Sequence, residues 1–126
     1  MKSVVISLAI AAAIAFASIF YSIHLHKMSR EFCEINDKIT SSLNNDSFDN
    51  AIRYTEALTE CFERKRNILA ATDNHDVTDK IEMNLRELYE YIEGGSKTDA
   101  LSKCRVLGFL FEHLPAEHEL KTENIL

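Results

Sequence analysis

The sequence predicts an all-α protein in which an N-terminal transmembrane helix extends into a small antiparallel helical bundle. Three observations support this fold class. Residues 3–25 carry no charged side chain, and beyond residue 30 the apolar residues recur at steps of three and four, as on one face of a helix. The 126 residues include only three glycines and one proline, too few for the many turns of an all-β chain.

The chain divides into a basic N-terminal part and an acidic body. Residues 1–30 contain Lys2, Lys27 and Arg30 and no acidic residue, whereas residues 31–126 hold the other 11 basic residues and all 20 acidic residues, a net charge of −9. An acidic body offers no positive field to a phosphate backbone. Nucleic acid is therefore not expected as a partner.

Residues 1–27 form the predicted signal-anchor, with a membrane span from Val4 to Ile23. As a helix, the uncharged stretch would be about 35 Å long, enough to cross a hydrocarbon core of roughly 30 Å. Inside lipid, a single segment satisfies its backbone hydrogen bonds only as a helix. We therefore expect a single-pass protein of the cell membrane whose N-terminal helix binds the lipid bilayer.

An alternative interpretation is a cleaved secretory signal, with Ala15 and Ala17 as the small residues of the cleavage site. The apolar run continues to Ile23, which makes it longer than the usual signal-peptide core of about 7–15 residues. This length favours an uncleaved anchor over a secreted protein.

The orientation of the span depends on two opposing signals. Lys27, Arg30 and Lys38 follow the span and only Lys2 precedes it, a distribution that mildly favours a cytoplasmic body. A span that begins a few residues after a Met-Lys start is typical of an export signal. We expect the body to be extracytoplasmic.

Residues 28–114 form the predicted acidic helical bundle, and residues 115–126 form a C-terminal tail. The helices are predicted at about 28–44, 47–71, 75–93 and 97–114. An apolar stripe lies on the first of them, comprising Met28, Phe32, Ile35, Ile39 and Leu43. This stripe could form a coiled coil with a second copy, which would make a homo-oligomer, or fold onto the other helices in a monomer. Short loops predict that helices adjacent in sequence pack antiparallel.

Helix-ending and helix-starting residues fall between these segments. Asp46 or Ser47 is expected to cap the second helix, and the glycine pair at 94–95 to end the third. Ser96 and Asp99 resemble a capping box in which Asp replaces Glu.

The three cysteines, Cys33, Cys61 and Cys104, include no Cys-x-x-Cys pair. Counting helical rise along the predicted bundle puts Cys61 and Cys104 at similar levels. In an oxidising compartment they could form a disulfide, and the alternative is that both are small buried apolar residues.

Three histidines are the candidate metal ligands: His75 before the third helix, His113 at the end of the fourth, and His118 in the tail. A cluster of His and Asp could bind a divalent transition metal. Capping and the helix dipole account for His75 and His113 equally well, and the tail gives His118 no fixed geometry. We therefore expect no metal and no cofactor.

Catalytic motifs are absent from the sequence. It contains no glycine-rich phosphate loop, no Gly-x-Ser-x-Gly and no His-Glu-x-x-His. The dense charged run at residues 60–66 is typical of a solvated helix face with ion pairs three and four residues apart. The protein is not expected to be an enzyme.

Several short patterns together resemble a known family. They are Phe48-Asp49-Asn50-Ala51, Phe62 with Lys65, His75-Asp76, and the terminal Glu-Asn-Ile-Leu at 123–126. The layout is similar to the small membrane-anchored bacterial proteins called domain of unknown function four-three-six-three, found mostly in clostridia and relatives. In that family we expect Trp where this chain has Phe48 and Phe62. The resemblance implies an exported helical bundle, assigns no activity, and marks His75 and the chain end for mutation.

These observations predict a non-enzymatic, single-pass membrane protein whose acidic domain binds an unknown membrane or envelope protein. The alternative is a small-ligand or metal sensor built on a helical bundle, which would depend on His75 and His113.

Overall fold

The computed structural model describes residues 1–70 and 75–114. They form four helices, α1 (Lys2–Asn44), α2 (Phe48–Ala70), α3 (His75–Glu93) and α4 (Lys97–Glu112), and no strand occurs among them. The predicted all-α class is confirmed. The predicted C-terminal tail, including His118, lies outside the described residues.

Helix α1 is a single uninterrupted rod of 43 residues, about 65 Å long. It contains no glycine or proline, so nothing in its sequence interrupts the hydrogen-bond ladder. None of its side chains before Leu25 is buried, whereas its C-terminal half is part of the bundle. Its apolar window has a mean hydropathy of 2.5 and is 0% buried, which is compatible with a membrane anchor or a signal sequence.

The four helices form a ring in which each helix contacts its two neighbours: α1 packs on α2 and α4, and α3 packs on α2 and α4. The part of α1 from Leu25 onward supplies its buried residues, and Tyr21 packs against the core one turn earlier. The centre is aromatic, because the Phe32 ring lies 6.2 Å from that of Phe62 in an edge arrangement and 5.0 Å from that of Phe111. All three rings are fully buried.

The apolar stripe of α1 is buried inside this bundle. Met28, Phe32, Ile39 and Leu43 are all 0% exposed, and Ile35 is half-buried against the core. A coiled coil between two copies would need this stripe free. Of the two alternatives that the sequence left open, the structure has the one in which α1 folds onto the other helices.

Helix α1 ends in a left-handed turn at Asp46, whose φ is 56°. The Asp46 N–H donates to the Leu43 carbonyl (3.1 Å), and the Ser47 N–H donates to the Ser42 carbonyl (2.8 Å), the pattern of a Schellman motif. The Asp46 carboxylate pairs with Lys97 at 3.0 Å. Asp46 therefore closes α1 and ties it to α4 instead of capping α2.

The glycine pair ends α3 in the same manner, as predicted. Gly95 has a φ of 73°, and the Ser96 N–H donates to the Tyr91 carbonyl at 2.8 Å. The predicted capping box is only partly formed. The Ser96 hydroxyl donates to the Asp99 carboxylate (2.6 Å), and it makes no hydrogen bond to the α4 backbone.

Cys61 and Cys104 lie on helices that are diagonally opposed. No Cα atom of α2 lies within 8 Å of a Cα atom of α4, whereas a disulfide requires about 4.4–6.8 Å. Both cysteines are buried free thiols. Similar levels along the bundle axis did not make them neighbours, and the possible disulfide would require the helices to move.

Candidate functional site

An open groove of about 590 Å³ runs between α2 and α3 on the outside of the bundle. Leu85, Thr59 and Tyr89 contribute its uncharged lining, and charged side chains form the rest. The lining consists of Glu56, Thr59, Glu60, Glu63, Glu82, Leu85, Arg86, Tyr89 and Glu90. Five carboxylates and a single guanidinium make this groove acidic.

Helical spacing places these acids in facing rows. On α2 they are separated by four and three residues, and on α3 Glu82 and Glu90 are two turns apart. Residues at these spacings share one face of a helix, so each helix presents a line of carboxylates to the groove. The chain folds this way because the opposite faces of α2 and α3 carry the buried apolar residues, such as Leu58 and Leu88.

Carboxylates in the half of the groove nearer the end of α2 have basic partners. Arg66 pairs with Glu82 at 2.8 Å and lies 3.7 Å from Glu63 and 4.0 Å from Asp79. Arg86 also pairs with Glu82, at 2.9 Å. These ion pairs bridge α2 and α3 and neutralise this half.

The other half of the groove, nearer the turn at residues 94–96, is not neutralised. No basic side chain among the described residues lies within 4.0 Å of Glu56 or Glu90, since neither takes part in an ion pair there. Tyr89 also lines the groove, and its hydrogen bond to Glu93 raises the pKa of the Tyr89 hydroxyl. The charges of Glu93 and Glu56 act in the same direction. This half therefore presents unpaired negative charge to solvent.

Lys65 does not lie on the solvated helix face that the charged run at residues 60–66 indicated. It pairs with Glu31 of α1, and its ammonium lies 5.7 Å from the centre of the Phe32 ring. The hydrogen bond from Lys65 lowers the pKa of the Glu31 carboxyl. Lys65 thus joins α2 to α1 at the edge of the core, whereas Arg64 and Arg66 remain on the face that pairs with nearby acids.

Two of the three candidate metal ligands, His75 and His113, lie within the described residues. His75 is the exposed first residue of α3. His113 follows α4, where its ring stacks on Phe109 at 4.0 Å and its Nδ1 lies 2.8 Å from the Phe109 carbonyl oxygen. Within residues 1–70 and 75–114, no three His, Cys, Asp or Glu side chains are arranged to hold a metal ion.

Sequence reasoning missed the groove because each acidic row, taken alone, is an ordinary solvated helix face. The signal was present in the spacing of residues 56–63 and 82–90. The groove forms only because the two acidic rows lie on neighbouring helices. The spacing within each row does not show which helices are adjacent.

Comparison with known proteins gives one finding. A family model described as domain of unknown function (DUF4363) matches residues 19–125, which include the whole bundle. No curated protein and no solved structure matches the chain. The match confirms the resemblance drawn from the sequence motifs.

Proposed function

The chain belongs to the DUF4363 family, and we propose that it is a membrane-anchored, non-enzymatic protein that binds a cationic helix of a membrane or envelope protein. The observation that carries this proposal is the acidic groove between α2 and α3 with its unpaired carboxylates. A helix with a row of Lys or Arg residues offers both the shape and the charge that such a groove accepts. A second copy of this chain fits less well there, since it would place acidic faces against each other.

Anchoring is supported by the two halves of α1. The exposed half is apolar and long enough to span a bilayer, and the buried half is part of the bundle core. The Tyr21 hydroxyl donates to the Ile68 carbonyl at 3.4 Å, so the end of α2 lies beside the last turns of the apolar half. In a membrane this would hold the bundle directly against the bilayer surface, with no flexible linker between them.

We propose that the bundle is extracytoplasmic, and Cys33 is the native reporter for this orientation. It is half-buried, whereas Cys61 and Cys104 are buried. Intact cells treated with a membrane-impermeant thiol reagent should therefore label Cys33, with little reaction of the other two before denaturation.

Burial raises the pKa of the Cys33 thiol and slows its reaction, so a Ser102→Cys variant provides a second, exposed reporter on α4. Labelling of neither site in intact cells, with full labelling after lysis, would place the bundle in the cytoplasm and contradict export.

The groove is tested with the full chain in nanodiscs of zwitterionic lipid and a synthetic Ala/Leu/Lys helical peptide whose lysines recur every three to four residues. Changing Glu56→Gln together with Glu90→Gln should weaken peptide binding about three- to tenfold at low salt, the effect of losing two exposed ion pairs. Fluorescence anisotropy of a labelled peptide measures the affinity.

The matched control removes two exposed acids of α1, Glu34→Gln together with Asp37→Asn, which changes the net charge equally outside the groove. Equal weakening in both double variants would mean that the peptide responds only to net charge. No binding above that of empty nanodiscs would also contradict the proposal.

A further inference from the structure

Helix α1 meets α4 through polar side chains that bond to the α4 backbone. The Ser29 hydroxyl donates to the Phe111 carbonyl (2.6 Å), and the Asn36 Nδ2 donates to the Cys104 carbonyl (2.8 Å). Donors and acceptors are each seven residues apart, so the two bonds are separated by two turns on both helices. Ser29, Asn36 and the α4 residues that accept their hydrogen bonds define the α1–α4 seam.

The opposite side of α1 is held differently. Toward α2, the Phe32 ring packs edge-on against Phe62, and Lys65 pairs with Glu31. Toward α4, the same ring packs on Phe111 at 5.0 Å, and the polar bonds of Ser29 and Asn36 lie on either side of this contact. A Cβ atom at Gly108 would lie 3.4 Å from the Asn36 Nδ2, an ordinary contact distance, so the amide packs directly against this turn of α4.

Asn36 is imperfectly satisfied in this position. The residue is 4% exposed, and its Oδ1 accepts no hydrogen bond from any described residue. A buried acceptor without a donor is unfavourable, because it has given up its hydrogen bonds to water. Closing the seam therefore has a cost at Asn36 that opening would remove.

We propose that the α1–α4 seam is the line along which the bundle opens, with α1 parting from α4 while it stays packed on α2. Because α1 is one continuous helix from Lys2 to Asn44, a tilt or rotation of its apolar half moves Asn36 and Ser29 relative to α4. The seam would thus pass a displacement of the N-terminal half of α1 to α4. Opening makes the Cys104 thiol reachable and leaves Cys61 covered.

The chain supplies its own reporters for this motion. Cys104 lies in the seam and is 3% exposed, and Cys61 lies on α2 and is 6% exposed. We expect Cys104 of the full chain in nanodiscs to react with a thiol reagent at least about tenfold faster than Cys61, after each rate is divided by that of the denatured chain. Static burial alone predicts the reverse order. Mass spectrometry of the peptides separates the sites.

Two variants and one control test the cause. Asn36→Leu removes the orphaned acceptor and should slow Cys104 to the rate of Cys61. The control Asn67→Leu, at an exposed position of α2, should change neither rate. Ser29→Ala removes a seam bond without adding bulk and should speed the reaction of Cys104 alone. Equal reaction rates of Cys104 and Cys61 in the unaltered chain would overturn the proposal. A folded Asn36→Leu chain in which Cys104 still reacts faster than Cys61 would also overturn it.

Discussion

Replacing Phe32 by Ala should lower the free energy of unfolding of the bundle by about 3–5 kcal/mol, as a fully buried Phe does when it is truncated in a core. Phe32 is 0% exposed, and its ring contacts Phe62 of α2 and Phe111 of α4. The substitution therefore leaves a cavity where three helices meet. Domains of this size have a total stability of about 5–15 kcal/mol, so the variant should be partly unfolded or close to it.

The measurement is urea unfolding of the full chain in a mild detergent, followed by far-ultraviolet circular dichroism. Phe109→Ala is the matched control, because Phe109 is 60% exposed and its loss should change stability by no more than about 0.5 kcal/mol. Similar stabilities for the two variants would mean that the three-ring cluster does not hold the bundle together.

Helical periodicity was sufficient to predict the face of each helix that is buried. On α3, the apolar residues that follow the helical steps of three and four are Val77, Ile81, Leu85, Leu88 and Ile92, and all five are buried. The glycine pair after α3 likewise gave the turn, since only a residue that tolerates positive φ ends a helix in this manner. These features depend on residues close in sequence.

The relative positions of the helices could not be predicted in the same way. Rise per residue gives the level of Cys61 and Cys104 along the bundle, but it does not state whether their helices are adjacent or diagonal. The structure makes them diagonal. The same limit applies to Lys65, whose partner Glu31 lies 34 residues earlier on another helix. Pairings of this kind depend on the order of helices around the ring.

Asn36 illustrates a second limit. It lies four residues after Phe32 and three before Ile39, so helical spacing puts it on the buried face of α1. The spacing does not show its partner: the amide packs against Gly108 of α4 and donates to the Cys104 carbonyl. The contact between Asn36 and Gly108 cannot be predicted from either residue alone, because they lie on helices that are far apart in sequence.

Introducing two arginines at the centre of the apolar half of α1 should remove the protein from the membrane. Ala13 and Ile14 lie midway between Val4 and Ile23, and neither is buried against the bundle. Each Arg at the middle of a spanning helix costs about 2.5–3.5 kcal/mol on insertion scales, so Ala13→Arg with Ile14→Arg costs roughly 5–7 kcal/mol. Resistance to alkaline carbonate extraction of the membrane fraction measures the loss.

The control, Ala13→Leu with Ile14→Leu, keeps the segment apolar and should remain in the membrane pellet. Urea unfolding should be unchanged in both double variants, because the bundle core begins only at Leu25. Carbonate extraction of the unaltered chain would contradict the anchor. If the mature chain also began after Ala17, the apolar half would be a cleaved signal, and the seam would then have no membrane helix to respond to.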